Sequence, residues 1–439
     1  MSKFIENPPL GLCSVAVARL MTCGYEPEQL AHELRELQHL SSLALTVKLP
    51  PNWLLKAIHL QVKKQSNTED CHFQHPVISD ALRRYRRGVG ISRLKLELLK
   101  NEHAEVIAKL NEDLPEGLIS KSCEIDPELL HQTLSPRARN TWSKDSGGKY
   151  KLDSTTLRDV DSPFASLILE AKSNHRLNIV NYLTVDEDDR HRSWANPLGT
   201  KTGRELAKGG SYVYWPHKVQ SIIEAPEGFV VVKLDFAQQE PAIIAALSGS
   251  EVLTQAYESG DLYDYLFSNG SWGSLTRKQF KILTIAYLYG VQNTGISNKW
   301  SVDIDKANQW RLELDKPFEQ AFKWMNANSR KAYSQGYVRS MDWRMGITNL
   351  TKPLTVRNWP IQAAGADILR RSCLKLAAHN INVIGCLHDA VMIEIPIVKY
   401  EKTINIAQRL MADASADVLL GFRLKTSIEA MYWPKGGPP

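Results

Sequence analysis

At 439 residues with a formal net charge of +6, the chain is long enough for two to four domains, and its mild basicity suits a polyanionic partner without requiring one. Its 43% hydrophobic and 23% charged content is that of an ordinary soluble globular protein. The six cysteines (Cys13, Cys23, Cys71, Cys123, Cys373 and Cys386) form no C-x-x-C pair, which argues against a zinc site or disulfide framework and fits a reducing, cytoplasmic setting.

The apolar stretch at 8–21 is broken by Arg19 and too short to cross a bilayer, so neither a signal peptide nor a membrane partner is expected. Residues 14–40 have helical periodicity through Val15, Leu20, Leu30, Leu34 and Leu37. Beyond them, Pro50-Pro51 and His75-Pro76 are expected to break regular structure. The first aspartate of the chain is Asp70, so no D-x-E metal pair precedes it. Arg83-Arg84-Tyr85-Arg86-Arg87 is a basic cluster that reads either as a solvated helix start or as a phosphate contact. A long amphipathic helix should run from Ser92 to about Leu110. The polar stretch 141–151 reads as an exposed loop, and 166–183 as a further helix.

Residues 196–215 are rich in Gly and Lys, the composition of a loop that approaches phosphates through its backbone amides. Pro226-Glu227-Gly228 then turns into the hydrophobic run Val230-Val231-Val232-Lys233-Leu234, which reads as a buried strand ending on Asp235. Glu240 follows five residues later, and Pro241 is well placed in the first turn of a helix. Thr276 can cap a helix bearing Arg277, Lys278, Lys281, Ile285 and Tyr289. Steps of four residues drift only about 40° around a helix. Arg277, Lys281, Ile285 and Tyr289 therefore fan across one side, unless this is simply an amphipathic helix with basic solvent positions. Residues 303–333 read as a core helix. Gly336-Tyr337-Val338 opens a short strand pair reaching Arg344, and Pro360-Ile361-Gln362 precedes an Ala/Leu-rich helix. Two β runs, Val383 to Leu387 and Val391 to Ile395, flank His388-Asp389-Ala390 as a hairpin. Asp389 is thus either a turn former or a second carboxylate at a strand end.

Two carboxylates on neighbouring strands supply the hard oxygens that Mg²⁺ prefers, and a cationic helix can neutralise a triphosphate. Together these parts fit phosphoryl transfer to a hydroxyl, where positioning and charge do most of the work.

The ordered motifs resemble those of family A (polymerase I-like) DNA polymerases over about residues 165–430. Thr200-Lys201-Thr202-Gly203-Arg204 resembles T-x-T-G-R, and Asp235 through Glu240 resembles the D-Y-S-Q-x-E of motif A. Arg277 through Gly290 resembles motif B, R-x-x-x-K-x-x-x-F-G-x-x-Y-G. Gly336-Tyr337-Val338, Asn358 with Pro360-Ile361-Gln362, and His388-Asp389 resemble the family's G-Y-V, N-x-P-I-Q and H-D-E.

The resemblance implies an α+β right-hand fold with an antiparallel-sheet palm (185–250 and 336–439), helical fingers (251–335) and a helical thumb (81–184). Residues 1–80 would form a helical region that could recruit a protein partner. It implies two Mg²⁺ ions, with Mn²⁺ as a substitute, on Asp235, Asp389 and the Phe236 carbonyl. Lys281 would join the two acids as a catalytic residue, donating a proton to pyrophosphate. Arg277, Lys281, Gln239, Glu240, Ile285 and Tyr289 would contact the incoming dNTP, with Glu240 as the gate against a 2′-hydroxyl. Thr202, Arg204, Asn358, Gln362, His388 and Tyr289 would contact a DNA primer-template.

Some positions depart from the pattern. Ile285 and Ala286 stand where the family has Phe and Gly, Ala390 replaces the Glu of H-D-E, Tyr263 replaces a histidine, and Leu354 an arginine for which Arg357 is the nearest substitute. The resulting expectation is a template-directed DNA polymerase of replication or repair, with no 3′–5′ exonuclease. The alternatives are an RNA polymerase-like nucleotidyltransferase with relaxed sugar choice and an inactive relative that only binds primer-template.

Overall fold

The computed structural model describes residues 75–145, 147–193, 195–197, 199–207 and 210–438. The helix expected at 14–40 and the turn at Pro50-Pro51 lie outside them. The described chain forms two compact units. One takes Arg87–Trp194, Ala207–Phe229 and the C-terminal residues from Tyr432; the other takes the residues up to Arg86, Ala195–Leu206 and Val230–Met431.

In the first unit the expected long helix spans Arg93–Asp113, with Ser92 at its N-cap position. Leu96, Leu99, His103 and Leu110 are buried at helical spacing along one face. Two short helices come next that hydrophobic periodicity does not reveal, Pro127–Thr133 and Pro136–Thr141. Each has proline in its first turn behind a capping side chain. Asp126 accepts from the Glu128 and Leu129 amides, and Ser135 from the Ala138 amide. The 166–183 region is an α-helix, Ala165–His175, that tightens into a 3₁₀ turn over Arg176–Tyr182. Leu110, Leu118, Leu130, Leu134, Trp142, Leu157 and Ile168 form the shared core. The 141–151 loop is mostly exposed, but it is anchored by Trp142, whose indole N–H donates to the Lys151 carbonyl at 2.9 Å.

Among its described residues, the second unit has a helix at His75–Arg87. Pro76 lies within this helix, so His75-Pro76 does not cause the expected break in regular structure. The basic cluster closes the helix, and Arg84 is neither solvated nor open to phosphate. Its Nε donates to Asp80 at 2.8 Å, its two Nη groups both donate to Glu205, and its side chain is 7% exposed.

The sheet of this unit has four strands in the order Thr426–Tyr432, Phe229–Phe236, Ala390–Pro396, Asn382–Leu387. The last two are an antiparallel hairpin in which Leu387 faces Ala390. A hydrogen bond from the Ala237 amide to the Lys425 carbonyl and an ion pair from Lys233 to Glu429 fix an antiparallel alignment at the other edge. Helices Pro353–Ala378 and Tyr400–Val418 pack against each other, and Gln239–Ser248 packs on the first of them. Ile304–Gln335 is capped by Asp303, which bonds the Lys306 amide at 2.6 Å, and buries Trp310, Leu314, Phe318, Ala321 and Met325.

One boundary differs from expectation. The helix expected after Pro360 already starts at Pro353 and carries Pro360 inside it. An interior proline removes one helical hydrogen bond. Burial of Val356, Trp359, Ile361, Ala363 and Ala364 around it offsets that loss. The fold class is α+β, as expected.

Candidate active site

Both candidate metal carboxylates sit where a strand meets a tight turn. Val230, Val231, Val232 and Leu234 are fully buried, so the Phe229–Phe236 strand is a rigid base that delivers Asp235 at its end, half-buried. Gln238, just beyond, holds a left-handed conformation at φ 52°. That conformation costs a non-glycine residue about 1–2 kcal/mol. The turn is fixed from outside by the Gln238 side chain, which accepts from the Leu262 amide at 2.8 Å. In the opposing hairpin His388 is likewise left-handed, at φ 56°. A positive φ at the first of two turn residues is the type II′ pattern, which matches the twist of the flanking strands. Asp389 follows at the tip.

The two carboxyls are near enough for the Asp389 charge to act on Asp235. Burial first, and the Asp389 charge second, push Asp235 up to about 7. Glu429 adds to this, while the Lys233 ammonium opposes it. The Asp235 Oδ1 is buried and has no protein hydrogen-bond partner. A crowded acid pair with an orphaned oxygen fits a divalent cation, and its all-oxygen donors suit Mg²⁺. Among the described residues no cluster of three or more His, Cys, Asp or Glu side chains forms a metal cage. A two-carboxylate site of this kind leaves coordination positions for water and substrate phosphates.

Lys233 and Glu429 were not singled out in the sequence. They form a 2.8 Å pair across adjacent strands, with Lys233 two residues before Asp235 and therefore on the same strand face. A lysine within an apolar run was the available signal.

A second group of sequence-derived candidates is also brought together. The Tyr289 hydroxyl donates to Glu240 Oε1 at 2.7 Å and accepts from Gln362 Nε2 at 2.8 Å. Arg204 approaches Glu240 Oε1 at 3.6 Å. Burial, then the Glu240 hydrogen bond, holds the Tyr289 phenol well above its ordinary range, so it remains a donor. Gln239 is buried with its Nε2 unpartnered, and a Cβ on Gly365 would lie 2.8 Å from its Oε1. Its side chain thus packs toward Gly365.

The 200–204 loop is pinned to neighbouring elements. Trp343 and Trp359 both donate to the Lys201 carbonyl, at 3.2 and 2.9 Å, and Arg370 donates to the Gly203 carbonyl. Gly203 has φ +73°, and a Cβ there would meet Trp343 and Arg370 at 3.0 Å. Thr202 bonds Thr200 at 3.1 Å. Asn358 is half-buried one residue after Arg357. Arg357 itself donates to the Leu288 carbonyl at 3.2 Å, at the helix end where a cation is favoured. Leu354 instead lies against Gly290, where a Cβ would come within 2.7 Å of it.

The cationic helix spans Arg277–Leu288 and starts with a full capping box. Thr276 Oγ1 accepts from the Gln279 amide, and Gln279 accepts from the Thr276 amide at 2.8 Å. Lys281 is exposed, Ile285 is half-buried, and Tyr289 is the C-cap. Arg277 is ion-paired at 2.6 Å to both Asp261 and Asp264. Arg277 and Lys281 lie over one ring, Tyr263, at 5.3 and 5.5 Å from its centroid. The sequence offers a signal for both aspartates, since Asp261 at a helix N-cap and Asp264 in its first turn fit a legible start pattern.

A sequence model described as DNA polymerase family A matches residues 95–432. The chain is 24% identical over 249 residues to the DNA polymerase of Mycobacterium phage D29, covering 54% of this chain and 41% of that one. It is 20% identical over 390 residues to DNA polymerase I of Rhizobium leguminosarum, covering 79% and 38% respectively. It therefore spans about two fifths of the length of these relatives. Among solved structures, the POL domain of Pol1 from M. smegmatis, in complex with DNA primer-template and dNTP, superposes with a TM-score of 0.70. That match has 18% identity and covers 89% of this chain and 77% of that chain. The likeness establishes the right-hand fold. Among the described residues no helix is long and apolar enough to cross a membrane.

Proposed function

The chain belongs to DNA polymerase family A, and from that premise we propose that it adds deoxynucleotides to a primer 3′-hydroxyl on a DNA template, in the cytoplasm, without trimming the primer end itself. The observation that carries this reading is the Asp235–Asp389 pair with its orphaned buried oxygen. Asp235, Asp389 and the Phe236 carbonyl would hold the ions. Two Mg²⁺ ions bound there, or Mn²⁺ in their place, would acidify the primer hydroxyl and stabilise the charge of the leaving pyrophosphate.

The remaining work falls to side chains of this protein. Lys281 and Arg277 bind the triphosphate from the cationic helix, and Lys281 Nζ donates a proton to the departing pyrophosphate. Glu240, held by Tyr289 and flanked by Arg204, occupies the side on which a 2′-hydroxyl would enter. Gln239 supports it from behind, Ile285 lies along the sugar, and Tyr289 meets the templating base. Thr202, Arg204, Asn358, Gln362 and His388 contact the primer-template. In this reading residues 185–250 and 336–439 act as palm, 251–335 as fingers, 81–184 as thumb, and 1–80 as a recruiting segment for a protein partner.

A relaxed-sugar, RNA polymerase-like reading draws on Ile285 and Ala286, which lack the ring of the family pattern. The hydrogen-bonded Glu240 opposes it, since a side chain fixed beside the sugar would block a 2′-hydroxyl sterically. Primer extension with dNTPs and rNTPs on DNA and RNA templates tests the proposal. Extension with dNTPs on DNA is expected, and efficient rNTP use by the wild-type chain would overturn the sugar assignment.

A further inference from the structure

Arg277 already has partners before any nucleotide arrives. Its Nη2 lies 2.6 Å from Asp261 Oδ2 and its Nε 2.6 Å from Asp264 Oδ1, while its guanidinium lies over the Tyr263 ring. Lys281 lies over the same ring but has no carboxylate partner among the described residues. Two cations on one helix face are thus unequal, one neutralised twice and the other free of counter-charge.

The two aspartates are not equivalent either. Asp261 caps its own helix, accepting from the Asp264 amide at 3.0 Å, so its carboxylate has a structural task. Asp264 is in the first turn of that helix, is 62% exposed, and directs its carboxylate to Arg277. A triphosphate reaching Arg277 must share or displace this carboxylate, and must also tolerate its negative charge nearby. Like charges in that arrangement weaken nucleotide binding.

We infer that Asp264 is a counter-charge that loosens the hold of Arg277 on the nucleotide triphosphate. The electrostatic grip then falls mainly on Lys281, and nucleotide choice rests more on the sugar and base contacts of Glu240 and Tyr289. The inference rests on the proposed reading of Arg277 as a triphosphate ligand.

Single-nucleotide incorporation by the full chain, with a matched dNTP on a DNA primer-template, tests it. Asp264→Asn should lower KM for the dNTP about two- to fivefold, the span of one exposed ion pair, with kcat changing less than about twofold. Asp264→Glu keeps the charge and should return KM to the wild-type value. The gain should shrink between about 50 and 300 mM salt as exposed charges are screened. A purely structural role for Asp264 would instead lower the melting temperature of Asp264→Asn and leave its KM equal to that of the wild type at every salt concentration. If Arg277→Ala raises KM while Asp264→Asn leaves it unchanged, this inference is overturned and the triphosphate reading stands. A wild-type KM in Arg277→Ala overturns both.

Discussion

Tyr289 and Glu240, separated by 49 positions in the chain, are joined by a 2.7 Å hydrogen bond from the phenol to Oε1. The bond ties the end of the cationic helix to the start of the helix after Asp235, and Gln362 holds the tyrosine from the other side. Glu240 is thereby fixed in direction, and a fixed side chain can discriminate by the space it fills. Glu240→Ala should raise rNTP incorporation relative to dNTP. Tyr289→Phe, which only frees the carboxylate, should produce a smaller loss of discrimination, within the roughly ten- to hundredfold that one charged hydrogen bond is worth. Competition between dNTP and rNTP in primer extension measures both, and an unchanged ratio in Glu240→Ala would remove the gate role.

The raised Asp235 carboxyl has a consequence for stability in the absence of metal. Its folded value of about 7 lies above the ordinary 3.8, so the folded state holds a proton that the unfolded state has released. Stability therefore falls as pH rises from about 4 towards 7, and ionised Asp235 is a burden above that window. In chelator, Asp235→Asn should melt higher than wild type at pH 8, with the difference vanishing near pH 4. Added Mg²⁺ should raise the wild type at pH 8 and leave the variant nearly unmoved. Parallel melting curves for the two proteins at every pH would contradict this.

Gly203 links the 200–204 loop to the Pro353–Ala378 helix at a point where a side chain has no room. Alanine there would adopt a left-handed conformation and press on Trp343 and Arg370 at 3.0 Å. Gly203→Ala should cost at least about 1–2 kcal/mol from the backbone alone. Urea unfolding reads the loss, and a midpoint equal to wild type would show that the loop is not pinned as described.

Much of this was legible from local pattern. The Phe229–Phe236 strand, the Arg277–Leu288 helix with its Thr276 cap, and the hairpin around His388-Asp389 all have strong periodicity and punctuation, and each appears within a few residues of its expected place. Pro360 misled because a proline normally marks a boundary, whereas burial of Trp359 and Ile361 keeps the helix continuous through it. Arg84 was hidden for a different reason. Its partner Glu205 is 121 positions away, and composition alone cannot separate a buried arginine from a phosphate-binding one. The same holds at the site. Asp235, Asp389, Glu240 and Tyr289 sit in motifs, whereas the Asp264 pairing with Arg277 and the Lys233–Glu429 pair arise only when elements pack.

The most direct test of the account is primer extension with Mg²⁺ and all four dNTPs by the full chain and by Asp235→Ala and Asp389→Ala, with primer-template binding measured in parallel. Phosphate contacts carry most of the binding, so both variants should retain nearly wild-type affinity. The wild type should extend the primer according to template, and both variants should show no measurable extension. Near-normal synthesis by either variant would contradict the two-carboxylate site on which the account rests.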